Sequence, residues 1–164
     1  MVPRRPRFVA LIILLLCGGV SIRAQQAAPA SIEIAGDVSS PMTVTAADLS
    51  ALPQVTVMAG TTAYEGVLLE DVLKRAGAVS GSSLKGKALS TYVLAEGRDG
   101  YAVVFSLGEL DSAISDGQVV LAETSGGKPL ADTQGPFRLV LPKDKIGARS
   151  VRMLSKLTVV RLKK

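Results

Sequence analysis

The sequence has 164 residues, with 19 lysines and arginines against 14 aspartates and glutamates, one cysteine and no histidine. The absence of histidine excludes a Ser-His-Asp hydrolase, because such an enzyme needs an imidazole to take and return a proton. It also excludes a zinc site built from histidine and cysteine. The length fits a short leader and one domain, which buries roughly two-thirds of its unfolded surface and needs no disulfide.

Residues 1–24 are predicted to be a secretory signal peptide. Three arginines precede an apolar run of 13 residues from Phe8 to Val20, shorter than the ~20 residues of a membrane-spanning helix. We expect cleavage after Ala24 and a periplasmic or secreted product with no stable membrane span. The later cleavage sites that remain open are Ala27, Ala28 and Ala30.

Three other interpretations of the leader stay open. The pair Arg4 and Arg5 is compatible with twin-arginine export, which carries proteins that fold around a cofactor first. Cys17 is compatible with lipid attachment, although Leu16 stands where such sites have a small residue. The apolar run is also compatible with an uncleaved anchor.

Removal of the leader leaves a nearly neutral chain. Residues 1–24 hold four basic residues and no acidic one, so 15 basic residues remain against 14 acidic ones. Three tyrosines and two phenylalanines remain to stack on bases. We therefore exclude nucleic acid as a partner. Cys17 leaves with the leader, so no disulfide is expected.

Beyond a tether at residues 25–30, the first half of the domain is predicted to contain short strands and helices. Ile32 and Ile34 alternate with polar residues in a strand. Thr45 and Asp48 have the spacing of a capping box for a short helix. The clearest helix is predicted after Gly66, from its apolar face and its i,i+4 charge pair. The core face of this helix contains Leu69, Val72, Leu73 and Ala76, the charge pair is Glu70 with Lys74, and Gly77 is the C-terminal cap. A strand is predicted before the helix, from Val55 to Met58.

The second half is predicted to be rich in strands. Two β-rich runs at residues 88–95 and 101–105 are joined by a connection with an Asp-Gly pair, typical of a hairpin. Ser106 and Glu109 fit a capping box for a helix of about two turns. Further strands are predicted at residues 118–123, 137–141 and 157–162. Residues 31–164 thus predict a single α+β domain, a mostly β mixed fold with few short helices.

Five blocks follow one another along the chain. They are GVLLEDVLKRAG (66–77), DGYAVVFSLGEL (99–110), VVLAETSGGKPL (119–130), GPFRLVLP (135–142), and VRML with LTVVRL near the end. In this order and spacing they resemble the molybdopterin-binding domain of the sulfite-oxidase-like oxidoreductase family, over residues 31–162. The resemblance implies the same mostly β fold and a molybdopterin-type pterin as cofactor.

In the family, a pterin dithiolene and one protein cysteine thiolate hold molybdenum, and this sequence departs from that pattern. The family's cysteine lies in the interval that corresponds here to residues 54–65, which is short and holds no cysteine. Met58 is a neutral thioether, and Thr61 or Thr62 would be hard oxygen ligands. We therefore expect no metal ligand and no catalytic residue, and we expect Met58 to pack in the core.

The phosphate-binding side of the family's pattern is better matched. Arg138 matches a cofactor-gripping arginine, and Arg152 falls where the family has a lysine followed by tryptophan. The resemblance therefore implies a cofactor-binding set of Arg138, Lys143, Lys145, Arg149 and Arg152. The charges alone also fit a solvated basic loop. Tyr101 is expected to pack across strands, with a ligand cleft as the alternative.

Three functions stay open. The first, favoured by the missing thiolate, is a non-catalytic binding or accessory module for an anionic small molecule or an envelope protein. The second is a molybdopterin-dependent oxidoreductase without a cysteine ligand, and the third is a structural protein of an envelope complex. A cleft beside residues 55–62, open toward Arg138 and Arg152, would indicate cofactor binding. Filled apolar packing would indicate the accessory role.

Overall fold

The computed structural model describes residues 30–163. The predicted signal peptide and nearly all of the predicted tether lie outside the described residues. Within them, no helix is long and apolar enough to cross a membrane.

Two five-stranded sheets form the framework of the described residues. Sheet A has the order β2-β1-β10-β5-β6, and its β1–β10 pair is parallel. Sheet B has the order β3-β4-β7-β8, and β9 also pairs with β7. The strands are β1 (Ser31–Gly36), β2 (Met42–Thr45), β3 (Gln54–Ala59), β4 (Thr62–Leu68), β5 (Thr91–Gly97), β6 (Ala102–Ser106), β7 (Val120–Ser125), β8 (Lys128–Pro129), β9 (Arg138–Val140) and β10 (Leu154–Arg161).

The described α-helices are short: α1 (Ala46–Leu49), α2 (Leu69–Arg75) and α3 (Leu107–Leu110). Three 3-10 turns accompany them, at Gly81–Ser83, Gly86–Ser90 and Gly147–Arg149. Mixed sheets with few short helices confirm the predicted α+β, mostly β class.

Both predicted capping boxes are present. At α1, the Thr45 amide donates to the Asp48 carboxylate over 2.9 Å, and at α3 the Ser106 amide donates to Glu109 over 2.7 Å. The prediction of two turns for α3 is wrong, because the helix ends at Leu110. The buried Asp111 carboxylate accepts from the amides of Ala113 and Gly81 instead, which draws the backbone out of the helix.

The clearest predicted helix starts later than Gly66 suggests. Residues before Leu69 belong to β4, which runs between β3 and β7. A Cβ on Gly66 would lie 2.0 Å from the Leu121 carbonyl oxygen, so the close approach of β4 to β7 requires glycine there.

Two apolar clusters lie on opposite faces of sheet B, because side chains alternate along a strand. The main core contains Val67 and Leu121 from sheet B, and also Ile34, Leu157 and Phe105 from sheet A. The smaller cluster contains Val57, Tyr64, Val120, Ala122, Leu130 and Val140. The face with the smaller cluster is called the outer face of sheet B below.

Candidate anion-binding site

Residues 54–65, where the family's cysteine is expected, form part of a tight hairpin. β3 pairs with β4 from Gln54 opposite Val67 to Ala59 opposite Thr62, and Gly60 has φ of 61° in the two-residue turn. The expectation that Met58 packs in the core is wrong: its side chain is 55% exposed. It alternates with Val57 on an edge strand and therefore points away from the smaller cluster.

The donor atoms of this hairpin do not fit a molybdenum centre of the family's type. Such a centre takes an anionic sulfur, and the hairpin offers a neutral thioether and two threonine hydroxyls. Among residues 30–163, no group of three histidine, cysteine, aspartate or glutamate side chains is arranged to hold a metal ion.

Arg138 is held on the outer face of sheet B by neutral groups. Its Nη1 donates to Tyr64 Oη over 3.1 Å and to Gln134 Oε1 over 2.7 Å. Its Cζ lies 5.0 Å from the centroid of the Tyr64 ring, which is a cation–π contact. Its Nε is buried and has no hydrogen-bond partner. The guanidinium is therefore fixed in place, and its buried Nε–H donor is unused.

The charge of Arg138 is not compensated within its surroundings. Burial lowers the pKa of its guanidinium, Tyr64 opposes that shift, and the like charge of Arg152 adds to it. Arginine nevertheless stays protonated in proteins. A partly buried cation without a carboxylate partner is costly, and an anion bound to the guanidinium would offset that cost.

Three chain segments meet at Gln134 and Gly135. The Met153 amide donates to the Gln134 carbonyl over 2.8 Å, which places the neighbouring Arg152 beside this loop. Arg98, in the β5–β6 turn, donates through Nη2 to the Gly135 carbonyl over 2.9 Å. Met153 has φ of 48°, a strained conformation that its backbone bonds to Gln134 and Arg98 maintain.

Carboxylate partners divide the described arginines into two groups. Arg75, Arg149 and Arg161 form salt bridges. Between residues 30 and 163, Arg98, Arg138 and Arg152 have no carboxylate partner within 4.0 Å, and these are the arginines around Gln134 and Gly135. We call Arg98, Arg138 and Arg152 the arginine cluster. The family resemblance pointed to Arg138 and Arg152, whereas Arg98 was not predicted, because it lies in a turn far from the basic segment along the chain.

The other three predicted site residues lie elsewhere. Arg149 forms salt bridges to Asp144, with Nη2 to Oδ1 at 2.8 Å, and to Glu109, with Nη1 to Oε2 at 3.0 Å. The hydrogen bond to Asp144 is the main cause of the raised pKa of Arg149. Lys143 pairs with Asp116 at 3.1 Å. Lys145 is exposed. In the structure, Arg138 thus lies near Arg152, whereas Arg149 and Lys143 form salt bridges with carboxylates.

A cleft of about 260 Å³ gives access to Arg152. It is lined by Asp99, Tyr101, Gly147, Ala148, Ser150 and Arg152. The expectation that Tyr101 packs across strands is wrong, because Tyr101 precedes β6, is 47% exposed and donates its hydroxyl to the Ala148 carbonyl. The preceding Gly100, with φ of 83°, turns the chain so that the ring faces the cleft.

A larger cleft of about 590 Å³ lies near α1 and β8, and no basic side chain lines it. Glu123 borders this cleft, and burial raises the pKa of its carboxyl group. A carboxylate without a basic neighbour disfavours an anion, whereas Arg152 accompanies Asp99 in the smaller cleft, so the arginine cluster is the better candidate for an anion site.

Comparisons with known proteins support the family resemblance. Residues 57–164 match the family model described as oxidoreductase molybdopterin binding domain. The fold is similar to a chain in the crystal structure of the sulfane dehydrogenase SoxCD from Paracoccus pantotrophus, with a TM-score of 0.64 and 21% identity. That alignment covers 81% of this chain and 38% of that chain, so this chain spans well under half of its length. No curated protein gives a significant match.

Proposed function

Because the chain belongs to the oxidoreductase molybdopterin binding domain family, we propose that it is an exported, non-catalytic module that binds an anionic ligand through the arginine cluster. One observation carries this proposal: Arg138 is partly buried, and its hydrogen-bond partners are the neutral side chains of Tyr64 and Gln134, with no carboxylate beside it. A phosphate or carboxylate group on the ligand would supply the missing negative charge.

The non-catalytic part of the proposal rests on the chemistry of the β3–β4 hairpin. The described residues contain no cysteine, and Met58 lacks the charge of a thiolate ligand. Anion binding needs neither a thiolate nor a metal. The two properties of the family's site are therefore separable, and we propose that this chain has kept only the anion-binding one.

Export is the second part of the proposal. It is supported by the three arginines and the apolar run of residues 1–24, and it would place the module in the periplasm or outside the cell. There the ligand is a small anion, or an anionic group presented by an envelope protein.

The alternative function is a molybdopterin-dependent oxidoreductase that holds its cofactor without a protein thiolate. It is favoured by Arg138 and Arg152, which occupy the positions where the resembled family grips the cofactor's phosphate and which have no carboxylate partner among the described residues. Both functions predict a retained anion, and they differ in whether molybdenum accompanies it.

Native mass spectrometry of the exported protein tests the proposal. The wild type should retain an anion, and a double variant with Arg138→Ala and Arg152→Ala should lose it. The matched control is Arg161→Ala, since Arg161 is bonded to Asp37 at 2.7 Å. Equal retention by the wild type and the double variant would refute the site, and an unliganded wild type that also fails to bind pyrophosphate would refute anion binding.

A further inference from the structure

The two edges of sheet B differ in their protection. One edge is formed by β9, whose Leu139 amide donates to the Val151 carbonyl over 2.8 Å, and by the two-residue β8. The residues of β8, Lys128 and Pro129, are types that discourage further strand pairing. The other edge is β3, which has six residues, QVTVMA, without a charge or a proline. The charge-free stretch extends over residues 49–64, between Asp48 and Glu65. Edge strands of this kind are templates for pairing with another strand.

The outer edge of β3 is unpartnered in the part of the chain that the structure describes. Its ladder bonds go to β4, and no other described element hydrogen-bonds to its backbone. The Gln54 side chain turns back to the carbonyls of Leu49 and Leu52 and leaves the edge open. Alternate N–H and C=O groups along β3 are therefore available.

The apolar outer face of sheet B continues to this edge. Val57 belongs to the smaller cluster, and the partly buried Val55 and Ala59 pack against it from the same strand. On the opposite face of β3, Thr56 is exposed and Met58 is 55% exposed. A strand added beside β3 would cover the apolar side chains at this edge.

We propose that β3 pairs with β3 of a second copy of this chain, antiparallel and about a two-fold axis through Val57 perpendicular to the sheet. Val57 then faces Val57 of the second copy, Val55 faces Ala59, and Thr56 faces Met58. Directly opposite residues point to the same face, so the apolar stripe runs unbroken across the junction. A self-pairing strand must also avoid facing like charges, and β3 has none.

The dimer is expected to be weak and concentration-dependent. Pairing one six-residue strand buries less than the roughly 1,200 Å² at the lower end of stable interfaces. The arginine cluster contributes nothing to the pairing, so loss of anion binding and loss of dimerisation are separate outcomes.

Sedimentation equilibrium of the exported protein over a wide concentration range tests the dimer. Thr56→Lys adds a charge at an exposed edge position and should raise the dimer dissociation constant at least tenfold. Thr43→Lys is the matched control, because Thr43 is an exposed residue of the edge strand β2 in sheet A. It should leave the dissociation constant unchanged. A monomer at every concentration, or equal effects of both substitutions, would overturn the proposal.

A cysteine variant tests the register independently. Val57→Cys brings two thiols face to face at the two-fold axis, within the 4.4–6.8 Å Cα separation typical of disulfides. Mild oxidation with diamide should therefore give a disulfide-linked dimer. Met58→Cys is the control, because its copies would lie two residues out of register and beyond disulfide reach. Faster cross-linking of the Met58→Cys protein would reject this register.

Discussion

Replacing Arg138 with methionine should greatly reduce the thermal stabilisation that pyrophosphate gives the protein. Methionine keeps an apolar stem of similar length and removes the guanidinium, including the buried Nε that lacks an acceptor. In the absence of ligand, the loss of the Tyr64 contact, about 0.5–1 kcal/mol, is opposed by the removal of an uncompensated, partly buried charge. The two unliganded proteins should therefore melt within a few degrees of one another.

The ligand-dependent difference is much larger. A ligand at 100 times its Kd stabilises the folded state by about 2.7 kcal/mol. For a domain of this size, that corresponds to a rise in Tm of about 8–10 °C. Losing the charged hydrogen bonds of Arg138 should weaken binding by about 1.5–3 kcal/mol, which is roughly tenfold to a hundredfold in Kd. At the upper limit, the same pyrophosphate concentration would raise the Tm of the variant by less than about 2 °C.

Differential scanning fluorimetry with increasing pyrophosphate measures this difference. Arg161→Met is the control, since it removes an arginine that is paired with Asp37. It should respond to pyrophosphate as the wild type does. Potassium chloride at matched ionic strength separates binding from general screening. The same rise in Tm for the Arg138 variant and the wild type would refute the role assigned to this residue.

Three further predictions concern stability and processing. Burial raises the pKa of Glu123, so its ionised form destabilises the fold; Glu123→Gln should raise the Tm at pH 7, and the gain should disappear below pH 4.5, its ordinary pKa, in thermal melts. Gly66→Ala should cost about 3 kcal/mol or more in denaturant unfolding because its Cβ meets the neighbouring strand, while Gly60→Ala, with open space and φ of 61°, should cost about 1–2 kcal/mol. Intact mass measurement of the exported protein should show cleavage after Ala24 or a few residues later, and an uncut chain would contradict the predicted leader.

Local signals in the sequence predicted the local structure. The Thr45 and Ser106 capping boxes form as expected, and α2 carries the predicted Glu70–Lys74 pair and ends near Gly77. Each of these features is determined by residues within about one helical turn, so no knowledge of the tertiary fold is needed.

Features that depend on distant strands were missed. β2 was not predicted although its sequence MTVT alternates apolar and polar residues, and β4 was not predicted because it is defined by its pairing with β3 and β7. The exposure of Met58 follows from the position of β3 at the edge of sheet B, which the strand pattern does not reveal. Met58 is an apolar residue of a type common in protein cores, but it lies on the uncovered face of β3.

The candidate site was only partly predictable for the same reason. Arg138 and Arg152 were found through the resemblance, but nothing local indicated that Arg149 is bonded to Glu109, which lies 40 residues away along the chain. Nor did the sequence indicate that the β5–β6 turn brings Arg98 to the Gly135 carbonyl. Which basic residues lack a carboxylate partner is a property of the tertiary fold.

The proposal that this family member binds an anion without metal chemistry is tested most directly by the molybdenum content of the exported protein. Purified from its natural source, the protein should contain far less than one molybdenum atom per chain by inductively coupled plasma mass spectrometry. A content of one atom per chain, retained through gel filtration, would contradict the proposed non-catalytic role and establish the oxidoreductase alternative as the better one.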